Sequence, residues 1–226
     1  LAIILSIESS GNICSVALHQ NGNLLAFIES DEPNIHGQKL ALFIKEMCDL
    51  QKINIHELNA IAVSEGPGSY TGLRIGVSLA KGLCYASNVP LLAVDTLQSL
   101  AFSMLNQNKE NFPSNAQLFP MIDARRMEVY LAGFDLHLNK IMATKPVILN
   151  NDFFNSIHLP TYFGGNGALK IDASFYNLTH LNYIPDISFS AKHLGSLAFQ
   201  KFKNKELVDI AYFEPVYLKE FATIIK

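Results

Sequence analysis

Two hydrophobic patterns take turns along this chain: short continuous apolar runs, and stripes at helical spacing. Residues 2–8 form an apolar run closed by Glu8, which predicts a buried strand. Ser9-Ser10-Gly11-Asn12 predicts a turn, residues 13–18 a second strand and residues 24–28 a third. Asn21-Gly22 lies between the last two, a strong hairpin signal. Leu40, Phe43, Ile44, Met47 and Leu50 recur at helical spacing over residues 37–51. The run at 60–64 predicts a strand, and residues 71–87 a long helix broken by Val89-Pro90. Residues 91–94 predict a short strand, followed by a helix to about Asn106 capped by Asp95 or Thr96.

The second half begins again in the same way. Residues 118–122 predict a strand closed by Asp123, and residues 127–134 and 140–149 two more. A short helix is expected near Asn150. Tyr162-Phe163 leads into Gly164-Gly165-Asn166-Gly167 and a further helix, and residues 190–201 predict another. Ile7-Glu8 and Ile122-Asp123 are matching openings: each acid precedes a tight turn and a returning strand. This weak repeat predicts two similar β-β-β-α-β-α units around a cleft, an α/β architecture. The polar stretch from Asn106 to Gln117 is the expected boundary, giving lobes 1–106 and 107–226, with the tail free to pack back on the first.

Glu65-Gly66-Pro67-Gly68-Ser69-Tyr70-Thr71-Gly72 sits between a predicted strand and a predicted helix. Gly66 and Gly68 can take positive φ or admit a close neighbour, and Ser69 or Thr71 can cap the helix. The start of such a helix can hold a phosphate. The spacing matches neither the P-loop, which needs Gly-Lys-Ser/Thr, nor the dinucleotide fingerprint, whose third glycine here comes one residue late at Gly72. A phosphate seat and a tight turn without ligand both stand. Glu8 and Asp123 likewise read either as cleft acids for a metal-bound phosphate or a water, or as turn caps.

Composition narrows the classes. The 226 residues are 49% hydrophobic, enough for a sizeable core, and no stretch reads as a membrane span. The first residues lack a basic flank and read as a strand, not a leader. With a net charge of −3 and no basic block, tight nucleic-acid binding by the chain alone is disfavoured. Cys14, Cys48 and Cys84 are dispersed among apolar neighbours, as buried thiols in a reducing cytoplasm would be. The seven histidines are scattered singly, and no metal site is expected.

The helix at 71–87 is apolar nearly all round, so it is buried on more than one side. Gly72, Gly76 and Ala80 form a small-residue stripe that suits close helix packing, either inside the fold or against a partner.

On Gly66-Pro67-Gly68-Ser69-Tyr70-Thr71-Gly72-Leu73-Arg74-Ile75-Gly76 above all, the chain resembles the TsaB family of bacterial tRNA threonylcarbamoyladenosine biosynthesis factors. Ile7-Glu8-Ser9-Ser10, Ile122-Asp123-Ala124-Arg125-Arg126-Met127-Glu128-Val129-Tyr130, Gly164-Gly165-Asn166-Gly167 and Glu214-Pro215-Val216-Tyr217-Leu218 support the resemblance. It implies an actin/Hsp70/sugar-kinase-like (ASKHA) fold of duplicated lobes. It also implies a non-catalytic, cytoplasmic partner of TsaD, forming a heterodimer and, with the ATPase TsaE, a ternary complex that transfers threonylcarbamoyl to an adenosine beside the anticodon. Self-dimerisation alone, contact with tRNA only through the complex, and no tightly bound nucleotide outside it are further implications. Thr96 and Leu100 stand where TsaD carries metal-binding histidines, and neither is a useful ligand.

The resemblance assigns the helix stripe to pairing, with Leu40, Phe43, Met47, Gly72, Leu73, Gly76, Val77 and Ala80 as the expected interface. Gly76→Arg is then expected to part the helices. Glu8, Ser9, Asp123, Arg125, Gly164 and Gly165 form an expected vestigial nucleotide cleft, in which Arg125-Arg126 crowd the phosphate or replace its charge with an internal ion pair. The competing function is an active ATP-dependent kinase or ATPase of the same fold; a metallopeptidase lacks its ligands.

Overall fold

The computed structural model describes residues 1–107, 112–171 and 179–219. The first half is built from β1 (Ile3–Glu8), β2 (Cys14–Gln20), β3 (Asn23–Ser30), α1 (His36–Gln51), β4 (Ala60–Gly66), α2 (Tyr70–Ser87), β5 (Leu91–Asp95) and α3 (Thr96–Gln107). The second contains β6 (Gln117–Asp123), β7 (Glu128–Phe134), β8 (Lys140–Ile148), α4 (Asn151–Asn155), β9 (Thr161–Gly164), β10 (Leu181–Tyr183) and α5 (Leu194–Lys203). The helix expected after Gly167 is a 3₁₀ turn over Ala168–Lys170, and residues 172–178 beyond it lie outside the described part. A 3₁₀ turn over Ala191–His193 leads into α5.

The sheets share one topology. The first runs β3-β2-β1-β4-β5 and the second β8-β7-β6-β9-β10. In each, an antiparallel meander gives way to parallel strands beside the opening strand. Parallel pairing requires crossovers, which α1 and α2 provide in the first half. Asn21 and Gly22 both take positive φ in the β2–β3 hairpin, as their residue types require.

Alternation along β1 explains the layers. Leu5 and Ile7 pack with Leu40, Ile44, Met47, Val77 and Ala80 of α1 and α2. Ile4 belongs to the core formed by Ala60, Ala62, Leu92 and Val94 with Leu194, Leu197 and Ala198 of α5. Meanwhile Leu97, Leu100, Ala101 and Met104 of α3 pack against Leu118, Ile122, Ala132 and Phe134 of the second sheet. The halves therefore exchange helices: α3 covers the second sheet and α5 the first. On the remaining face of the second sheet, Phe154 of α4 packs with Phe119, Met121, Leu131 and Phe163.

The segment after α5 returns across the first half. Val208 bridges to Leu91, Lys81 donates to the Ala211 and Phe213 carbonyls, and the Val216 N–H donates to the Glu65 carbonyl at 2.8 Å. Lys219 then reaches the Ala124 carbonyl and the Glu128 carboxylate on the second hairpin. Among the described residues no helix is long and apolar enough to cross a membrane.

Candidate functional site

The two strand-end acids occupy equivalent places at the ends of β1 and β6, and their surroundings are opposite. Glu8 is 1% exposed. One of its oxygens, Oε1, accepts from the Ser10 N–H (2.6 Å), the Ser10 hydroxyl (2.6 Å) and the Ser64 hydroxyl (2.9 Å). Burial pushes its carboxyl above the ordinary value, against the pull of those hydrogen bonds. Such a group braces the turn and takes no part in an open cleft.

Asp123 is exposed. Partial burial raises its carboxyl, but the Lys170 ammonium at 2.5 Å, the Arg125 N–H at 2.6 Å and the nearby Arg125 charge outweigh this and hold it below the ordinary range. The expectation that the arginines form an internal ion pair here is corrected, although the Arg125 N–H and charge do act on Asp123. Lys170 makes the ion pair, and both arginine side chains are exposed in an outward turn.

The glycine turn between β4 and α2 is filled by the chain itself. The Ser69 N–H donates to the Ser10 carbonyl at 2.6 Å, and the Ser9 hydroxyl donates to the Gly72 carbonyl at 2.9 Å. A Cβ on Gly68 would lie 2.5 Å from the Ser10 carbonyl oxygen, and one on Gly72 would lie 2.0 Å from that of Ser9. The glycines thus let two backbone turns touch, and Ser9-Ser10 fill the space beside them. Ser69 caps α2 by accepting from the Gly72 N–H. Thr96 is buried and accepts from the Gly66 N–H at 3.1 Å, while Asp95 caps α3 and pairs with Lys140. Leu100 lies in the second core.

The second glycine turn repeats this approach. Gly165 takes φ +94°, and a Cβ there would lie 2.5 Å from the Met121 carbonyl oxygen. Asn166 accepts from the Asp123 N–H at 2.9 Å. Gly164 is buried against Met104 and Ile187.

The expected pairing surface requires correction. Leu40, Met47, Gly72, Leu73, Gly76, Val77 and Ala80 are buried within the chain, and Phe43 is half-buried. A Cβ on Gly76 would lie 2.1 Å from the Ser9 hydroxyl oxygen, with Ile7 next to it. The stripe faces β1, so Gly76→Arg attacks the chain's own core. The outer side of these helices instead presents Leu42, Arg74, Gly82 and Tyr85, and a Cβ on Gly82 would meet nothing within 4 Å. Arg74 sits 4.1 Å over the Tyr70 ring and donates to the Tyr217 hydroxyl, joining α2 to the returning tail. Lys170 and Ser64, and the contact of the motif residue Tyr217 with Arg74, escaped the sequence reading because each acts on a residue far away in the chain.

A cleft of about 510 Å³ opens beside the start of α2, lined by Asn12, Asp31, His36, Ser69 and Thr71 among others. Among the described residues no group of three or more His, Cys, Asp or Glu is placed to hold a metal ion. Cys14 and Cys84 are free and buried, their thiols pushed up to about 11 and about 12 by burial.

Two equivalent sheets, exchanged helices and matching turns define an ASKHA-type α/β protein. The activator of 2-hydroxyisocaproyl-CoA dehydratase from Clostridium difficile shares the fold, with a TM-score of 0.50 at 9% identity over 91% of this chain and 96% of that one. YeaZ from Pseudomonas aeruginosa gives a TM-score of 0.76 at 25% identity, covering 96% of this chain and 100% of that one. The family model of TsaD, tRNA N6-adenosine threonylcarbamoyltransferase, matches residues 33–220. The tRNA threonylcarbamoyladenosine biosynthesis protein TsaB of Escherichia coli is 33% identical over 61% of this chain, and the match spans 57% of that protein. The corresponding Buchnera aphidicola (Baizongia pistaciae) protein is 27% identical over 97% of this chain and 99% of its own length. The chain belongs to the TsaD family, on its TsaB branch.

Proposed function

We propose that the chain acts in tRNA threonylcarbamoyladenosine biosynthesis as a non-catalytic partner of a TsaD-type transferase. The observation that carries this reading is the filled first turn. Glu8 is buried among serine donors, and Ser9-Ser10 press against the glycines where a phosphate would have to enter. In this reading the chain forms a heterodimer with TsaD, joins TsaE in a ternary complex, and pairs with itself when alone. It works in the cytoplasm, meets tRNA through the complex, and holds no nucleotide tightly by itself. The outer face of α1 and α2, with Leu42, Gly82 and Tyr85, is the proposed pairing surface in place of the buried stripe.

Reconstitution tests this. Threonylcarbamoyl transfer to tRNA by the TsaD- and TsaE-type proteins is expected to require the chain. Gly82→Arg, which has open space before it, should fold normally by circular dichroism and weaken TsaD binding at least ten-fold by calorimetry, as loss of an interface hot spot does. A folded Gly82→Arg protein with full affinity would remove this face from the interface. Asp123, exposed beside the Asn166 turn, favours a second reading as an ATP-dependent kinase or ATPase. ATP turnover by the isolated chain, abolished by Asp123→Ala, would establish that reading instead.

A further inference from the structure

The tip of the β6–β7 hairpin has a backbone that its residues do not favour. Most of the non-glycine residues with positive φ in this structure occur singly, and several are Asn or Asp. Arg125 and Arg126 take φ +70° and +49° in succession. Long side chains enter this region reluctantly, whereas Asn-Gly enters it readily. The turn is closed by Ala124 N–H to the Glu128 carbonyl (3.1 Å) and Glu128 N–H to the Arg125 carbonyl (3.2 Å). An unfavourable backbone kept at a surface turn points to a use for its side chains.

Electrostatics indicates the use. The carboxylates flanking the tip are both taken, Asp123 by Lys170 and Glu128 by Lys219. Arg125 and Arg126 are exposed, and among the described residues neither forms an ion pair. Two exposed guanidinium groups thus stand at the tip outside any direct ion pair, Arg125 acting on Asp123 only through space and through its backbone N–H, on a chain whose net charge is −3.

We propose that Arg125 and Arg126 form a contact for the phosphate backbone of tRNA. The proposal rests on the functional reading above, which puts this polyanion in the same assembly. A guanidinium offers planar, paired donors that match phosphate oxygens. Contacts of this kind position an RNA without reading its sequence. The few charges involved agree with a chain that meets tRNA only as part of a complex.

The test is the double variant Arg125→Asn/Arg126→Gly, which gives the turn residues suited to its backbone and so keeps the hairpin. Wild type and variant, each assembled with the TsaD-type enzyme, are titrated with a fluorescein-labelled unmodified tRNA transcript across a range of salt. The variant is expected to bind TsaD with unchanged affinity and to bind tRNA roughly three- to ten-fold more weakly. Its log–log salt slope should be shallower by about 1.5–2, the loss of two phosphate contacts. Unchanged tRNA affinity and slope would overturn the proposal. Loss of TsaD or TsaE affinity without a change in salt slope would make the tip a protein contact and also overturn it. If wild type forms no assembly, the functional reading fails; the same comparison on the isolated chain in low salt then decides the hairpin separately.

Discussion

Glu8 and Asp123 close equivalent strands in sheets of the same topology, yet one is buried and raised in pKa while the other is exposed and lowered. The difference lies in what the following turn does. After β1, Ser9 and Ser10 fold back onto the glycine turn of α2 and carry their donors inward to Glu8. After β6, Arg125 and Arg126 turn outward, and the acid finds Lys170 at the surface. A duplicated scaffold can thus hold the same acid as an internal brace or as a surface charge.

The comparison breaks most readily at the glycines. Gly72→Val should destabilise the chain by about 3–5 kcal/mol, because the new side chain meets the Ser9 carbonyl and the helix cannot retreat. Gly165→Ala should lose about 2 kcal/mol, from its positive φ and the Met121 carbonyl. Urea denaturation measures both; a stable Gly72→Val protein would mean that the two turns do not touch.

Removing each acid gives the next effect. Glu8→Ala leaves the Ser10 and Ser64 donors buried without their acceptor and opens a cavity, an expected cost of about 2–4 kcal/mol. Asp123→Ala breaks an ion pair whose carboxylate side chain is 45% exposed, so screening keeps its cost under about 1 kcal/mol. Equal losses would erase the distinction.

The finest test is pH. Glu8 has an ordinary value of 4.5 that burial raises on folding, so its contribution to stability is full below that value and is lost as pH rises through the native one. Asp123 has an ordinary value of 3.8 that its partners lower, so its contribution is present above that value and is lost as pH falls through the native one. Glu8→Gln, which keeps the acceptor oxygen, should therefore gain on wild type as pH rises from about 4 to 7. Asp123→Asn should fall behind wild type above about pH 4. Stability curves shifting the same way in both variants would contradict the assignment.

Much of this fold was legible in the order of apolar runs. Strand-end acids, the Asn21-Gly22 hairpin and the glycine turns all stand where the pattern predicts them, because local backbone demands choose those residues. The short strand β10 carries too few residues to show a period. The direction of Gly72, Gly76 and Ala80 was not legible, since a helix apolar on several sides does not say which side meets its own sheet. Lys170 lies 47 positions from Asp123, and only the packing of the second glycine turn on β6 brings them together. The exchange of α3 and α5 was hidden for the same reason: an amphipathic face does not name the sheet it covers.

That exchange has a consequence for how the protein is made. Ile4, Ala60, Ala62, Leu92 and Val94 wait on one face of the first sheet for Leu194, Leu197 and Ala198. The sheet's last strand ends at Asp95, so about 100 further residues must be synthesised before its cover exists. At ribosomal rates of roughly 5–20 residues per second, that interval lasts about 5–20 s. During it the nascent chain carries an apolar sheet face whose cover is incomplete, with Phe102 and Leu138 alone among the described residues available to pack on it until α5 emerges.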